Sequence, residues 1–257
     1  MPLNDVPDYT EDWIVYWEQK SQGRVSSTLR RAAEKPTTNF LPVQPGEINP
    51  LDFEDLSINK RHLRECPDSV LSDCRTGFIE FVEMTDFVDE PSPYLDVVPI
   101  IFTQNHFNLR DIFYRESSLD DLPANQICTI NGILGDLPEQ TKTSRKTAFE
   151  CTKGHVTSVR QPVYSENIID ICGREGCHQS VYQISQGTRF LDVLEFDIRD
   201  ETGGLPCVST GVYADLTQFE ELNEAGVELS LVGIPRNMFN HSNEPEVIFE
   251  VFSLEIV

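Results

Sequence analysis

Two close pairs of metal-type ligands limit what this chain can fold into more than any other feature. Cys151 and His155 form one pair, in F-E-C-T-K-G-H, and Cys172 and Cys177 form the other, in C-G-R-E-G-C-H. Sixteen residues separate the two pairs. Two such pairs on tight turns are what a tetrahedral structural Zn²⁺ site requires. The glycines inside each turn, Gly154 in one and Gly173 and Gly176 in the other, let the backbone reverse so that the ligands face one ion. His178 is an alternative to one of the four. The competing reading is a turn-rich hairpin with scattered thiols. Closely spaced cysteine pairs in a chain that is not secreted point to metal or redox chemistry instead. Four ligands also close the shell, whereas a catalytic zinc keeps one position open.

Reading the chain as non-secreted rests on its ends and its cysteines. Met1 to Asp12 has no cationic segment followed by an apolar one, so no secretory signal is visible. No apolar run is long enough to span a bilayer. Seven cysteines is an odd number, and Cys66, Cys74, Cys128 and Cys207 fall in segments of unrelated character. A reducing cytoplasm is expected. The formal charge is −23, from 43 carboxylates against 20 lysines and arginines. Such a surface repels nucleic acid at long range unless cations are concentrated locally. It also suits a high-salt cytoplasm, where screening shortens the repulsion.

Taken in order, the chain opens with helical spacing over residues 5–34. Trp13, Ile14, Trp17 and Leu29 form a face expected to pack on a later helix. Residues 35–50 carry four prolines and read as a connector. A helix is expected from Ile58 to Cys66, and a second is opened by Pro67. Val70, Leu71, Cys74, Phe78, Phe81 and Val82 mark the apolar stripe of that second helix. Glu83 to Tyr94 reads as an acidic loop and Val97 to Phe102 as a buried strand. From Gln126 the pattern turns to β. Strands are expected over Ile127–Leu134, with Gly132 marking a bulge or bend. Others are expected over Thr141–Phe149, Val181–Ile184, Phe190–Ile198, Gly211–Tyr213, Val227–Ile234 and Val247–Ile256. Phe219–Ala225 reads as a short helix or turn. The whole is an α+β chain: an N-terminal helical subdomain at 1–113, then an OB-fold β-barrel at 114–257 with a zinc ribbon inserted at about 149–181.

The motifs of common enzymes are missing. There is no G-x-x-x-x-G-K-[ST] to cradle nucleotide phosphates, no G-x-S-x-G, no H-E-x-x-H and no G-x-G-x-x-G. One stretch opposes the overall charge. Lys142, Arg145, Lys146, Lys153 and Arg160 fall within nineteen residues that hold one acid, Glu150. Single-strand-binding barrels use a cationic groove with stacking aromatics. Here the cations are present and the aromatics are thin. Arg236 and His241 lie in a second, weaker candidate, a turn from Pro235 to Pro245.

The order of these elements resembles the amino-terminal region of the minichromosome maintenance (MCM) replicative helicases, most closely in its archaeal form. L-D-F-E-D-L, then a helix and E-C-P before a long helix, is similar to that family's helical subdomain, and N-L-R-D-I to its passage into the barrel. I-C-T-I-N-G-I-L-G and A-F-E-C resemble the strands that enter its zinc knuckle. F-L-D-V-L-E-F-D-I-R-D-E, A-G-V-E-L-S-L-V-G-I-P-R and V-I-F-E-V-F-S-L-E-I resemble its later barrel strands. The likeness covers nearly the whole chain. It implies a non-catalytic, DNA-encircling module with a structural zinc held by Cys151, His155, Cys172 and Cys177. It also implies phosphate contacts from Lys142, Arg145, Lys146 and Arg236.

The implied partners are single- or double-stranded DNA and further copies in a hexamer or double hexamer, or a full-length MCM helicase, in the cytoplasmic nucleoid or in a nucleus. ATP hydrolysis in that family belongs to a following AAA+ domain, so the chain also reads as the amino-terminal piece of a longer helicase. Two departures from the family stand out. Gly135-Asp136 takes the place of a basic residue. Gly203-Gly204-Leu205-Pro206-Cys207 takes the place of a longer loop ending in arginine, which couples to the motor.

Overall fold

The computed structural model describes residues 6–21, 46–48, 57–85, 100–102, 117–160, 169–210, 226–239 and 245–257. Expectations for Leu29, for residues 51–56, 108–112 and 211–225, and for His241 lie outside them. So does most of the Glu83–Tyr94 loop.

The helical part is built on two tryptophans. Helix α1, Thr10–Tyr16, runs into one π-helical turn, Trp17–Ser21. Helix α2, Lys60–Glu65, starts where the Asn59 side chain accepts the Arg61 N–H at 2.8 Å, an N-cap that satisfies an otherwise orphaned donor. Helix α3, Pro67–Met84, opens on the proline, whose missing N–H costs nothing at that position. Its stripe from Val70 to Val82 is buried as the spacing predicts, with Leu71 half-buried at the margin. Trp13 and Trp17 stack with ring centroids 6.2 Å apart, and Trp17 meets Phe78 of α3 edge-on at 5.3 Å. The Trp17 indole N–H donates to the Cys74 carbonyl at 3.3 Å, so the polar end of a fully buried ring is satisfied. No described helix is long and apolar enough to cross a membrane.

Strands β1, Gly46–Ile48, and β2, Ile100–Phe102, pair in parallel. The proline-rich stretch read as a connector therefore contains a strand. Its partner lies more than fifty residues away, beyond the reach of a local pattern.

The remaining strands are β3 Cys128–Leu134, β4 Glu139–Cys151, β5 Val156–Arg160, β6 Val181–Arg199, β7 Gly204–Thr210, β8 Glu228–Phe239 and β9 Pro245–Ile256. Their hydrogen-bonded order is β3-β8-β9-β7-β6-β4-β5, and β3 also pairs with β6. That last pairing, Ile133↔Arg199 and Leu134↔Ile198, joins the first strand of the list to the fifth. Five strands thereby close into a ring with no free edge between them. Within the ring only β7 and β9 run parallel. Alternate residues point inward: Leu194, Phe196 and Ile198 from β6, Leu205 and Cys207 from β7, Leu229 and Leu231 from β8, Phe249 and Val251 from β9.

Three readings of the sequence are corrected by this topology. Gly132 marks no bulge, since β3 keeps regular register with β8 through it. A Cβ there would lie 3.2 Å from the Arg199 carbonyl and from Ile198, so the glycine permits the close approach that shuts the ring. The strands expected at Val181–Ile184 and Phe190–Ile198 are one strand of 19 residues. Gly203–Cys207, expected as a loop, is a tight turn followed by β7. The Asp200 carboxylate caps that turn by accepting the Thr202 and Gly203 N–H groups at 2.6 and 3.0 Å.

The helices and the ring share a core. Val232 and Ile234 of β8, Phe252 of β9 and Ile127 pack with Trp13, Trp17, Leu63 and the α3 stripe. Arg236 fastens the two parts. It is no turn residue: β8 runs through it to Phe239, and its side chain is only 7% exposed. Its guanidinium donates to both Asp68 oxygens at 2.7 and 2.8 Å, and to Glu250 at 2.9 Å. That arrangement withdraws Arg236 from the expected phosphate contacts. Asp68 sits in the first turn of α3, where a carboxylate also favours the helix dipole. Removing Arg236 leaves Glu250, 18% exposed, without this partner, while Asp68, 68% exposed, is solvated, so Arg236→Ala is expected to lower stability by about 2 kcal/mol in urea unfolding. A solvent-facing arginine would give no measurable change.

Candidate metal centre and basic face

β4 delivers Cys151 to the end of the ribbon, where Cys151↔Val181 is its last pair with β6. Thr152, Lys153 and Gly154 then turn the chain. The Gly154 N–H donates to the Cys151 carbonyl at 2.8 Å, and the Cys151 N–H to the His155 carbonyl at 3.1 Å. The second knuckle is built alike. The Cys177 N–H donates to the Arg174 carbonyl, and the Cys172 N–H to the Gln179 carbonyl, both at 2.9 Å. Gly154 and Gly176 have φ of 76° and 73°, in the region that side chains with a Cβ rarely enter. Gly173 does not share that need.

These turns gather the four ligands. One donor atom from each of Cys151, His155, Cys172 and Cys177 lies within 4.8 Å of all the others. Cys151 Sγ stands 4.0 Å from Cys177 Sγ, and Cys172 Sγ stands 3.8 Å from His155 Nδ1. A tetrahedron with ordinary zinc–sulfur and zinc–nitrogen bonds has edges of about 3.8 and 3.6 Å. The thiols are too far apart for a disulfide, whose sulfurs lie about 2 Å apart. All three cysteines are buried. Burial pushes the Cys151 thiol up. The backbone N–H groups of His155 and Lys153 and the neighbouring thiols more than offset this, so its pKa falls below the ordinary value. A thiolate is the form that binds metal. His178 is exposed and outside the cluster, and His155 is the histidine that could complete the set. The donor set fits one Zn²⁺ in a closed, structural role. The ion would hold the two knuckles together and leave no position for substrate.

The sequence-predicted cations divide. Lys142, Arg145 and Lys146 all fall on β4. Lys142 is exposed, with its ammonium 3.8 Å from Asp192 across the pair Lys142↔Asp192. A pair so exposed holds the lysine weakly. Arg145 falls in the register shift between Ser144 and Lys146. Lys146 pairs with Arg160 of β5 on one side and with Arg189 of β6 on the other. Three cationic residues therefore stand at one level across three strands. Arg189 is the member that sequence reasoning missed. It lies 43 residues from Lys146 in the chain, beside Thr188 and Phe190, and only the β4–β6 register brings it in. Arg236 is the member that does not belong, for the reason given above.

Asp136 accounts for one departure from the resemblance. Its carboxylate accepts from Arg199 at 3.1 Å, while Arg199 Nε donates to Asp197 at 2.9 Å.

Five strands thus close into a ring packed against helices, with a Cys₃His ribbon inserted after the first strand. The structure is similar to the 1.8 Å crystal structure of the N-terminal domain of an archaeal MCM. The TM-score is 0.69 at 13% sequence identity, and the match covers 96% of this chain and 98% of that one. No family model and no curated protein matches the sequence. At that identity the likeness is one of fold: this chain has the fold of an MCM N-terminal domain.

Zinc is expected at one ion per chain by elemental analysis. Co²⁺ in its place should give the visible absorption of tetrahedral thiolate ligation. Cys172→Ser and His155→Ala should lose both signals, and His178→Ala neither. At free zinc about a thousandfold above its Kd, the ion should stabilise the chain by about 4 kcal/mol, lost on chelation.

Proposed function

We propose that the chain is a non-catalytic module of DNA replication, which binds single- or double-stranded DNA and assembles with further copies into a ring. The observation that carries the reading is the fold likeness over nearly the whole of both chains. The cationic level of Arg160, Lys146 and Arg189, with Lys142 and Arg145 on the same strand, supports DNA as the partner. These residues would meet the phosphate backbone, which fixes position without reading sequence. The ribbon's zinc would be structural. ATP-driven work would fall to a separate motor, consistent with the missing phosphate-binding loop. The module would act on chromosomal DNA, in a nucleoid or a nucleus.

A second reading is favoured by one observation. Asp136 replaces an expected cation and also engages Arg199, on a chain of formal charge −23. In that reading the chain is an interaction subunit that joins a full-length MCM helicase and has given up DNA.

Fluorescence anisotropy with single-stranded DNA over a salt series separates the two. On the first reading, affinity falls steeply with salt. Lys142→Ala, Arg145→Ala and Lys146→Ala together should then reduce the slope of log affinity against log salt by about 2, one phosphate contact per residue. Unchanged retention in the triple variant overturns the β4 assignment. An absence of binding at low salt, with co-purification of a helicase, favours the second reading.

A further inference from the structure

Tyr9 joins the three helices at one point, and neither reading above uses it. The residue is 3% exposed. It stands at the N-cap of α1, where its carbonyl accepts the Trp13 N–H at 3.0 Å. Its own N–H donates to Asp73 of α3 at 3.1 Å. Its phenol oxygen lies 2.7 Å from Nδ1 of His62 on α2, with the two rings tilted at 49°. These contacts hold down the start of the helix that carries Trp13 and leads into Trp17. Both tryptophans lie in the core that the helices share with Val232, Ile234 and Phe252 of the ring.

The direction of the Tyr9–His62 bond follows from its surroundings. The Asn59 backbone N–H already donates to the phenol oxygen. The phenol hydrogen is then the one that bridges to the ring, and Nδ1 is its acceptor. A neutral imidazole has one nitrogen that can accept, whereas both nitrogens of the imidazolium carry hydrogen. Proton uptake by His62 turns the acceptor into a donor and strands a buried O–H, which is costly. Tyr9 is sealed from water, but His62 is half-buried and within reach of solvent protons. Charged neighbours do not reverse this preference. On α2, Glu65 is held by Arg61 and Arg64 at 3.0 and 3.1 Å. Asp73 of α3 is engaged by the Tyr9 N–H, and Asp8, ahead of α1, by the Thr10 N–H at 2.9 Å. Asp12 of α1 is half-buried and acts on the phenol. Among the described residues, none of these carboxylates makes an ion pair with His62. Attraction at longer range is screened by water and salt, and the stranded hydroxyl is not.

From these contacts we infer that His62 is a proton switch for the docking of α1: the neutral ring holds Tyr9, and the protonated ring releases it. The docked state binds fewer protons than the released one, so docking strengthens as pH rises through the range in which histidines titrate. Asp73 acts with the opposite sign. Burial raises its carboxyl, which favours the docked state in acid, but that effect falls in the carboxylate range, below the histidine one. Release of α1 uncovers the outer apolar side chains of β8 and β9, so the switch also governs how firmly the helices sit on the ring.

Amide hydrogen exchange on the whole chain, with zinc in excess and rates corrected for the intrinsic effect of pH, is the test. Between about pH 8 and pH 5, protection of the α1 amides should fall about tenfold, the equivalent of one hydrogen bond. Protection of Ile130 and Leu231, paired in the ring, should hold. Trp13 and Trp17 are the two tryptophans of the chain, so acrylamide quenching of its fluorescence should rise over the same range. His62→Asn keeps an oxygen that accepts the phenol hydrogen but takes up no proton, and Tyr9→Phe has no hydroxyl to strand. Each should abolish the fall and the rise. A fall that survives in either variant, an equal fall in the ring amides, or no fall in the unaltered chain overturns the proposal.

Discussion

Strand β6 is the constraint on which the molecule depends. Its first two-thirds pair with β4 and form the stem of the ribbon. Its last third pairs with β7, and its final residues reach β3 to shut the ring. One continuous backbone thus carries the metal knuckle at one end and the ring closure at the other. Residues Val193 to Glu195 are hydrogen-bonded to β4 and β7 at once, so the ribbon cannot separate from the ring without breaking a ladder. Val193 and Leu194 are fully buried there, which adds the cost of exposing apolar surface to that of unpaired backbone. The Cys₃His centre is consequently a feature of the whole sheet and not an appendage on a loose loop.

How much of this was legible follows from the range of each signal. The ligand pairs Cys151/His155 and Cys172/Cys177 are local, because each lies on a turn that its own glycine permits. The structure gathers them into one group that could hold a metal, with His155 in it and His178 outside. The α3 stripe and the Trp13/Trp17 face are local as well, and both are buried as their spacing requires. Signals that depend on pairing across long separations were not legible. β1 was hidden in a proline-rich stretch, and β7 in a glycine-proline turn. The continuity of β6 was masked by Gln186-Gly187, which sits where the strand bulges and not where it ends. Charge was misread for a related reason. Arg236 looks like a solvent-facing cation beside a turn, and only the fold reveals Asp68 and Glu250 on either side of it.

The charge distribution has a physical logic of its own. In a chain of −23, an arginine has many carboxylates to choose from, and two of the arginines, Arg236 and Arg199, are each held by two of them. One serves the helix–ring interface and the other the mouth of the ring. The level formed by Arg160, Lys146 and Arg189 is different, because β-pairing sets cations beside cations.

The register shifts near Ser144, Lys146 and Ala148 have a mechanical consequence. Between the pairs Lys146↔Arg189 and Ala148↔Ile184, β6 carries four residues where β4 carries one. Thr188 pins this excursion, accepting the Ala148 N–H at 3.1 Å and donating to the Ile184 carbonyl at 2.6 Å. Beyond it β4 and β6 pair from Ala148↔Ile184 to Cys151↔Val181, so the ribbon is a lever of about 13 Å. A rotation of about 5° at Thr188 would swing the knuckle by about 1 Å and carry its four candidate ligands together. One hydroxyl at its root thus helps to fix the aim of the ribbon.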